Sequence, residues 1–171
     1  YHRIINKESR RLTQLINNIL DFSRIEAGRK EYRLVRSELA AVVRDVVDAY
    51  RFPIEQQGFA LDLEVAEDLP EMAIDPEAIS QALINLLNNA IKYSTEQKSI
   101  RVSVRPEGDR VLVSVADLGI GIPKAEHKRI FEKFFRLDPN LARGVGGTGL
   151  GLYISREIVR RMGGRNRVES E

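Results

Sequence analysis

The sequence predicts an α+β domain, with helices layered on one face of a mixed sheet, behind a long leading helix. Three observations carry that expectation. Apolar residues alternate over 59–65, 100–104 and 111–115, the period of half-buried strands. Other stretches repeat their apolar residues at three and four, the period of amphipathic helices. The two kinds of segment lack the strand–helix–strand rhythm of a parallel sheet, so one-sided layering fits them better.

The leading helix comes first. Ile5, Leu12 and Ile19 fall seven apart, Leu15 and Phe22 lie three beyond the last two, and Ile16 widens the stripe. That is a heptad seam, which seeks a partner helix in cis or across a dimer, or else the chain's own globular part. Gly28 reads as its stop. From about Tyr32 a globular domain begins. Leu39, Val42, Val43, Val46, Val47 and Tyr50 mark a helix that Ser37 could cap and that Pro53 should kink or end. Phe59, Leu61, Leu63 and Val65 make a strand. Asp75 followed by Pro76 is an N-cap with proline at the first helical position, opening a helix to about Tyr93. Two strands flanking 106–109 read as a hairpin. Beyond Asp117 come a glycine-rich turn, a short helix with Phe131, Phe134 and Phe135, and a loop over 137–147. A last helix runs from about Leu150 to Met162.

Composition excludes several classes. Lys plus Arg is 27 and Asp plus Glu 25, a formal net charge of +2, too small for a chain devoted to coating nucleic acid or an acidic membrane. With no cysteine there is no disulfide framework, thiolate zinc site or cysteine nucleophile, and two histidines make a multi-histidine metal centre a poor fit. No apolar run approaches the ~20 residues of a membrane span, and no signal-peptide pattern opens the chain. The expectation is a soluble, cytoplasmic piece of something larger.

Three constellations carry chemistry. On the helix from Pro76 to Tyr93, Ile79, Leu83, Leu86, Leu87 and Ala90 form an apolar arc, while Asn85, Asn89 and Lys92 fall within roughly 60° of one another elsewhere. Two amides and an ammonium suit a polyphosphate with magnesium; they also suit a plain solvated face. Asp117 through Ile122 ends a strand, where a carboxylate can accept from a buried amine such as that of adenine and Gly119 and Gly121 permit close approach of a ligand. Such a turn is also common without a ligand. Gly144, Gly146, Gly147, Gly149 and Gly151 lead into the last helix, whose N-terminal N–H groups favour an anion; the same run would serve as a hinge.

Together, in this order, these stretches resemble the boxes of two-component sensor histidine kinases. Residues 85–94, Asn-Leu-Leu-Asn-Asn-Ala-Ile-Lys-Tyr-Ser, are similar to the N box, 117–122 to the first glycine box, 131–136 to the F box and 147–152 to the second glycine box. Residues 20–28 resemble the second helix of the dimerisation and histidine-phosphotransfer hairpin. The resemblance implies two parts: 1–30, the second hairpin helix without an acceptor histidine, and 31–171, a catalytic ATP-binding domain. The implied fold is a two-layer α/β sandwich of the Bergerat type, shared with DNA gyrase, Hsp90-type chaperones and MutL-type repair proteins. Further implications are ATP and Mg2+ as cofactors, a response regulator receiver domain as partner, homodimerisation through the hairpin, and a cytoplasmic setting within a membrane-bound sensor. Neither nucleic acid nor direct membrane contact is implied for this stretch. By motif position, Asn89 would ligate magnesium, with Asn85 supporting the metal and phosphates, Lys92 contacting phosphates and Tyr93 packing at the nucleotide. Asp117 would take the adenine amine in a pocket shaped by Gly119, Ile120, Gly121 and Ile122. Gly147, Thr148, Gly149, Leu150, Gly151 and Leu152 would wrap the phosphates, Phe134 would anchor a lid, and Arg136 and Arg143 would be lid cations for the γ-phosphate.

The hydrolysing clamps of that superfamily typically carry a water-activating glutamate four residues before the magnesium asparagine. Here Asn85 stands there, and an amide cannot accept a proton at neutral pH. That favours phosphotransfer over two alternatives, an ATP-hydrolysing clamp and a non-catalytic dimerisation or nucleotide-binding module. The sequence departs from the kinase pattern in several places. Neither histidine serves as acceptor, since His2, followed by Arg3-Ile4-Ile5, matches no acceptor box and His127 reads as an exposed helix residue. The chain stops at Glu171, where one or two further core strands are usual, Asn166 stands at a position that is usually apolar, and Pro53 interrupts a helix that the family often continues.

Overall fold

The computed structural model describes residues 2–137 and 147–170. Its elements run α1 (His2–Glu26), β1 (Val35–Ser37), α2 (Leu39–Glu55), β2 (Ala60–Val65), β3 (Met72–Ile74), α3 (Pro76–Tyr93), β4 (Gln97–Glu107), β5 (Arg110–Leu118) and α4 (Gly151–Arg161). Two 3-10 turns, Lys124–Glu126 and Arg129–Phe131, lie between β5 and α4.

The main sheet has the order β2-β4-β5, parallel in its first pair and antiparallel in its second. Register explains which face is buried. Leu63 pairs with Val102 and Val102 with Val115, while Val65, Val104 and Val113 form the next apolar row. On the opposite face Ser103 and Ser114 pair through their hydroxyls at 2.7 Å. α2 and α3 cover the apolar face, and the main core joins Val43, Val47, Ile54, Leu61, Leu87, Ile100, Val102 and Val104, all buried. This is the one-sided layering expected. A smaller core lies on another side of α3, where Ala78 and Ala82 receive Tyr153, Ile154 and Ile158 of α4.

Three local expectations are corrected, and a pair of strands, β1 and β3, is added to those expected. Ser37 does not cap α2: pairing with Met72 draws it into β1, and Glu38 stands at the N-cap without a side-chain bond. β1 and β3, each three residues, are too short to show an alternating pattern. Pro53 does not end α2; it sits in the last turn, and the fully buried Ile54 carries the helix on to Glu55. The short helix around Phe131, Phe134 and Phe135 is replaced by the two 3-10 turns, since Phe134 at φ +61 cannot join a right-handed helix. Asp75 behaves as expected, its Oδ1 accepting from Ala78 N–H at 3.1 Å with Pro76 opening α3.

α1 divides its apolar seam. Phe22 and Ile25 pack against the smaller core, whereas Leu12, Ile16, Ile19 and Leu20 are about half exposed. Asp21, 8% exposed, accepts from Lys30 at 2.9 Å and from Gln81 of α3, tying the helix to the domain. Among the described residues no helix is long and apolar enough to cross a membrane, and the buried Asn166 Oδ1 finds no hydrogen-bond partner.

Candidate nucleotide site

The site residues collect where the C-terminal half of α3 meets the ends of β5 and the start of α4. Asn85 is 4% exposed and faces α4. Its amide nitrogen donates to Gly151 O at 3.3 Å and to Ser155 Oγ at 3.4 Å. Ser155, fully buried, donates in turn to Gly151 O at 2.9 Å. So Asn85 does not lie on an open polar face with Asn89 and Lys92. It continues the row of Ala78 and Ala82, whose small side chains let α4 approach. Asn89 and Lys92, on the next turns, are half-buried.

Lys92, Tyr93, Arg136 and Gly147 come together. The Lys92 ammonium lies 4.9 Å from the Tyr93 ring centre, and a Cβ built on Gly147 would stand 2.6 Å from Lys92 Nζ. The Tyr93 phenol is pushed up by burial, opposed by the nearby Arg136 guanidinium. The structure thus brings Arg136, distant in the chain, to the tyrosine that Lys92 adjoins.

Asp117, exposed at the end of β5, has its Oδ1 held by Gly119 N–H at 2.8 Å and by the Ser94 hydroxyl at 3.4 Å. Ser94, the last residue of the 85–94 run, is 2% exposed, and its hydroxyl is a site feature that the residue type alone does not signal. Gly119 is pressed so closely that a Cβ would meet Asp117 Oδ1 and Tyr93 O at 2.7 Å, which explains the glycine. Ile120, 45% exposed, is bound through its N–H to Tyr93 O at 3.2 Å. Gly121 takes φ +72.

The second glycine run is described from Gly147. Thr148 Oγ1 accepts from Leu150 N–H at 3.3 Å, Leu150 is buried in the smaller core, and Gly151 and Leu152 begin α4. Gly149, at φ +72, lies against the backbone of Phe134 and Phe135, where a Cβ would come within 2.6 Å. Arg143, with Gly144 and Gly146 and the loop around them, lies outside the described residues.

The Phe134 side chain packs on α1. Its ring meets Phe22 of α1 edge-on at 5.1 Å, and its φ of +61 is an unfavourable backbone state for a bulky residue. Beside it Lys133 Nζ reaches Glu26 at 2.6 Å, and Tyr153 OH donates to the same carboxylate at 2.8 Å. His127 is also a correction. Its ring is half-buried, with Nε2 2.9 Å from Ile122 O.

A family model described as histidine kinase-, DNA gyrase B- and HSP90-like ATPase matches residues 74–171, and the chain belongs to that family. Among curated proteins it is similar to the circadian input-output histidine kinase CikA of Synechococcus elongatus, 36% identical over 172 residues. The match covers 99% of this chain and 23% of that protein, so the chain spans under a quarter of its length. Among solved structures, full-length ShkA in complex with AMPPNP superposes with a TM-score of 0.78 at 26% identity, covering 98% of this chain and 36% of that one. ThkA in complex with the response regulator protein TrrA gives a TM-score of 0.70 at 26% identity, covering 98% and 47%.

Proposed function

We propose that the chain is the catalytic part of a protein-histidine kinase. Residues 31–171 bind Mg-ATP and deliver its γ-phosphate to a histidine on a dimerisation hairpin, of which residues 1–30 form the second helix. The phosphohistidine then passes the phosphoryl group to an aspartate of a response regulator receiver domain. The exposed Leu12, Ile16, Ile19 and Leu20 support the first hairpin helix and a homodimer as the covering of α1. The setting is the cytoplasmic portion of a membrane-bound sensor.

The observation that carries this reading is the state of Asn85. The side chain stands where hydrolysing relatives keep a general base, but it is a buried amide whose nitrogen is bound to α4. It cannot take a proton from water, so ATP persists until a better nucleophile arrives. Phosphoryl transfer then asks the protein for positioning and charge neutralisation rather than covalent chemistry.

The residues suit those tasks. Asp117, with Oδ1 oriented by Gly119 and Ser94, presents its other oxygen to the adenine amine. Tyr93 packs beside the nucleotide, with the pocket completed by Ile120, Gly121 and Ile122. Lys92 and Arg136, which converge at Tyr93, offset phosphate charge. The backbone of 147–152 lines the phosphates at the N-terminus of α4, where the helix dipole favours anions. Magnesium fits this donor set: Asn85 has its nitrogen engaged and keeps its oxygen for a ligand, and Asn89 lies one turn on. Asn89 would hold the ion with Asn85 behind it. Bound there, the ion would supply charge neutralisation for the phosphates.

The test supplies a separate hairpin carrying the acceptor histidine, with magnesium and labelled ATP. Acid-labile label should appear on the hairpin, none on the chain itself, and Asn89→Ala should abolish it. Acid-stable label on the chain, or steady phosphate release without the hairpin, would overturn the proposal.

A further inference from the structure

The turn after β5 is held at both ends. At its start, the Gly119 and Ile120 amides bond Asp117 Oδ1 and Tyr93 O, tying it to the C-terminus of α3. At its end, Ile122 has both backbone groups engaged. Its N–H donates to Ser170 Oγ at 2.8 Å, and its carbonyl is contacted by His127 Nε2 at 2.9 Å. A carbonyl only accepts, so Nε2 carries the proton in this contact. Between the two ends lies Gly121 at φ +72, with the backbone freedom of a residue lacking Cβ. The segment joining Ile122 to His127 is itself stiff, with Pro123 at φ −54 leading into the 3-10 turn Lys124–Glu126.

We infer that His127 is a positioning residue of the nucleotide site: its grip on the Ile122 carbonyl holds the turn from Asp117 to Ile122 in the shape that receives the purine ring before nucleotide arrives. The inference rests on the adenine role proposed for Asp117. A glycine turn left loose must be ordered on binding, and that lost freedom reduces affinity; a turn already pinned has lost it beforehand. His127 touches backbone rather than ligand or reacting atoms. Its influence therefore falls on nucleotide affinity and not on the transfer step.

The experiment titrates the whole chain, His127→Ala and His127→Gln calorimetrically with ADP. It also measures phosphotransfer from ATP to the supplied acceptor hairpin. Glutamine places an amide N–H at a similar reach, so it can remake the bond. His127→Ala should bind ADP roughly fivefold more weakly, the size of one net hydrogen bond. KM for ATP should rise in proportion, with kcat at saturating ATP held within about twofold. His127→Gln should recover most of the affinity. Wild-type affinity in His127→Ala, a glutamine variant as weak as alanine, or a kcat that falls with affinity would each overturn the inference. If the wild-type chain binds no ADP, the reading of the site fails and takes the inference with it. Normal wild-type binding with an unaffected alanine variant overturns the inference alone.

Discussion

Asp117 is exposed, and one of its oxygens is already bound by the amide two residues on. Its value to a ligand therefore lies in the direction of the second oxygen rather than in a dry surrounding. Asp117→Asn should weaken ADP binding by one to two orders of magnitude, given the roughly 1.5–3 kcal/mol of a hydrogen bond to a charged group. Calorimetric titration checks this, and unchanged affinity would contradict the proposed role. Residue types alone pointed to Asp117, Lys92 and the glycines, because each has a chemistry or a conformational freedom that few positions require. The surroundings of Asn85 and His127 were not legible in this way. Helical period places Asn85 on a face, but only the packing of α4, far away in the chain, decides that the face is covered. His127 makes its bond from the residue that closes a 3-10 turn, Lys124–Glu126, where the α-helical period does not apply.

Between elements, polar bonds at Glu26 tie α1 to α4 and to the segment that precedes it. Glu26 is bonded by Lys133 and Tyr153, with the Lys133 bond the larger cause holding its carboxyl below the usual range. Burial, then the bond to Glu26, pushes Tyr153 up to about 12. The two groups impose opposite pH limits. Tyr153 stays protonated in the folded chain where an unfolded tyrosine would ionise, so its contribution is complete below pH 10 and is lost as pH rises toward 12. Glu26 contributes fully above its unperturbed 4.5 and loses that contribution as pH falls through its lowered value. In an absorbance titration of the five tyrosines, one should ionise near 12, and Glu26→Gln should lower that transition. A Glu26→Gln chain with an unaltered titration would show that the tie does not form. Elements with many periodic residues, such as α3, β4 and β5, were legible in the sequence. The pair β1 and β3 was not, because three residues give no period and their pairing joins positions 35–37 to 72–74.

At the scale of the molecule, α3 serves two cores. The main one has fourteen buried apolar members among the described residues and the smaller one six, so the α4 side has the lesser hold on the chain. The proposed pocket takes the adenine-side Asp117 from the end of the sheet and its phosphate-side glycines from the start of α4, and thus straddles both. The consequence concerns the order in which the native protein breathes. Amides of α4 should exchange with deuterated solvent through a partial opening that spares β4, whose amides should wait for global unfolding. ADP, by bridging the two halves, should slow exchange in α4 far more than in β4. Equal protection of the two in the empty protein, measured by hydrogen-exchange mass spectrometry, would mean that they open as one unit.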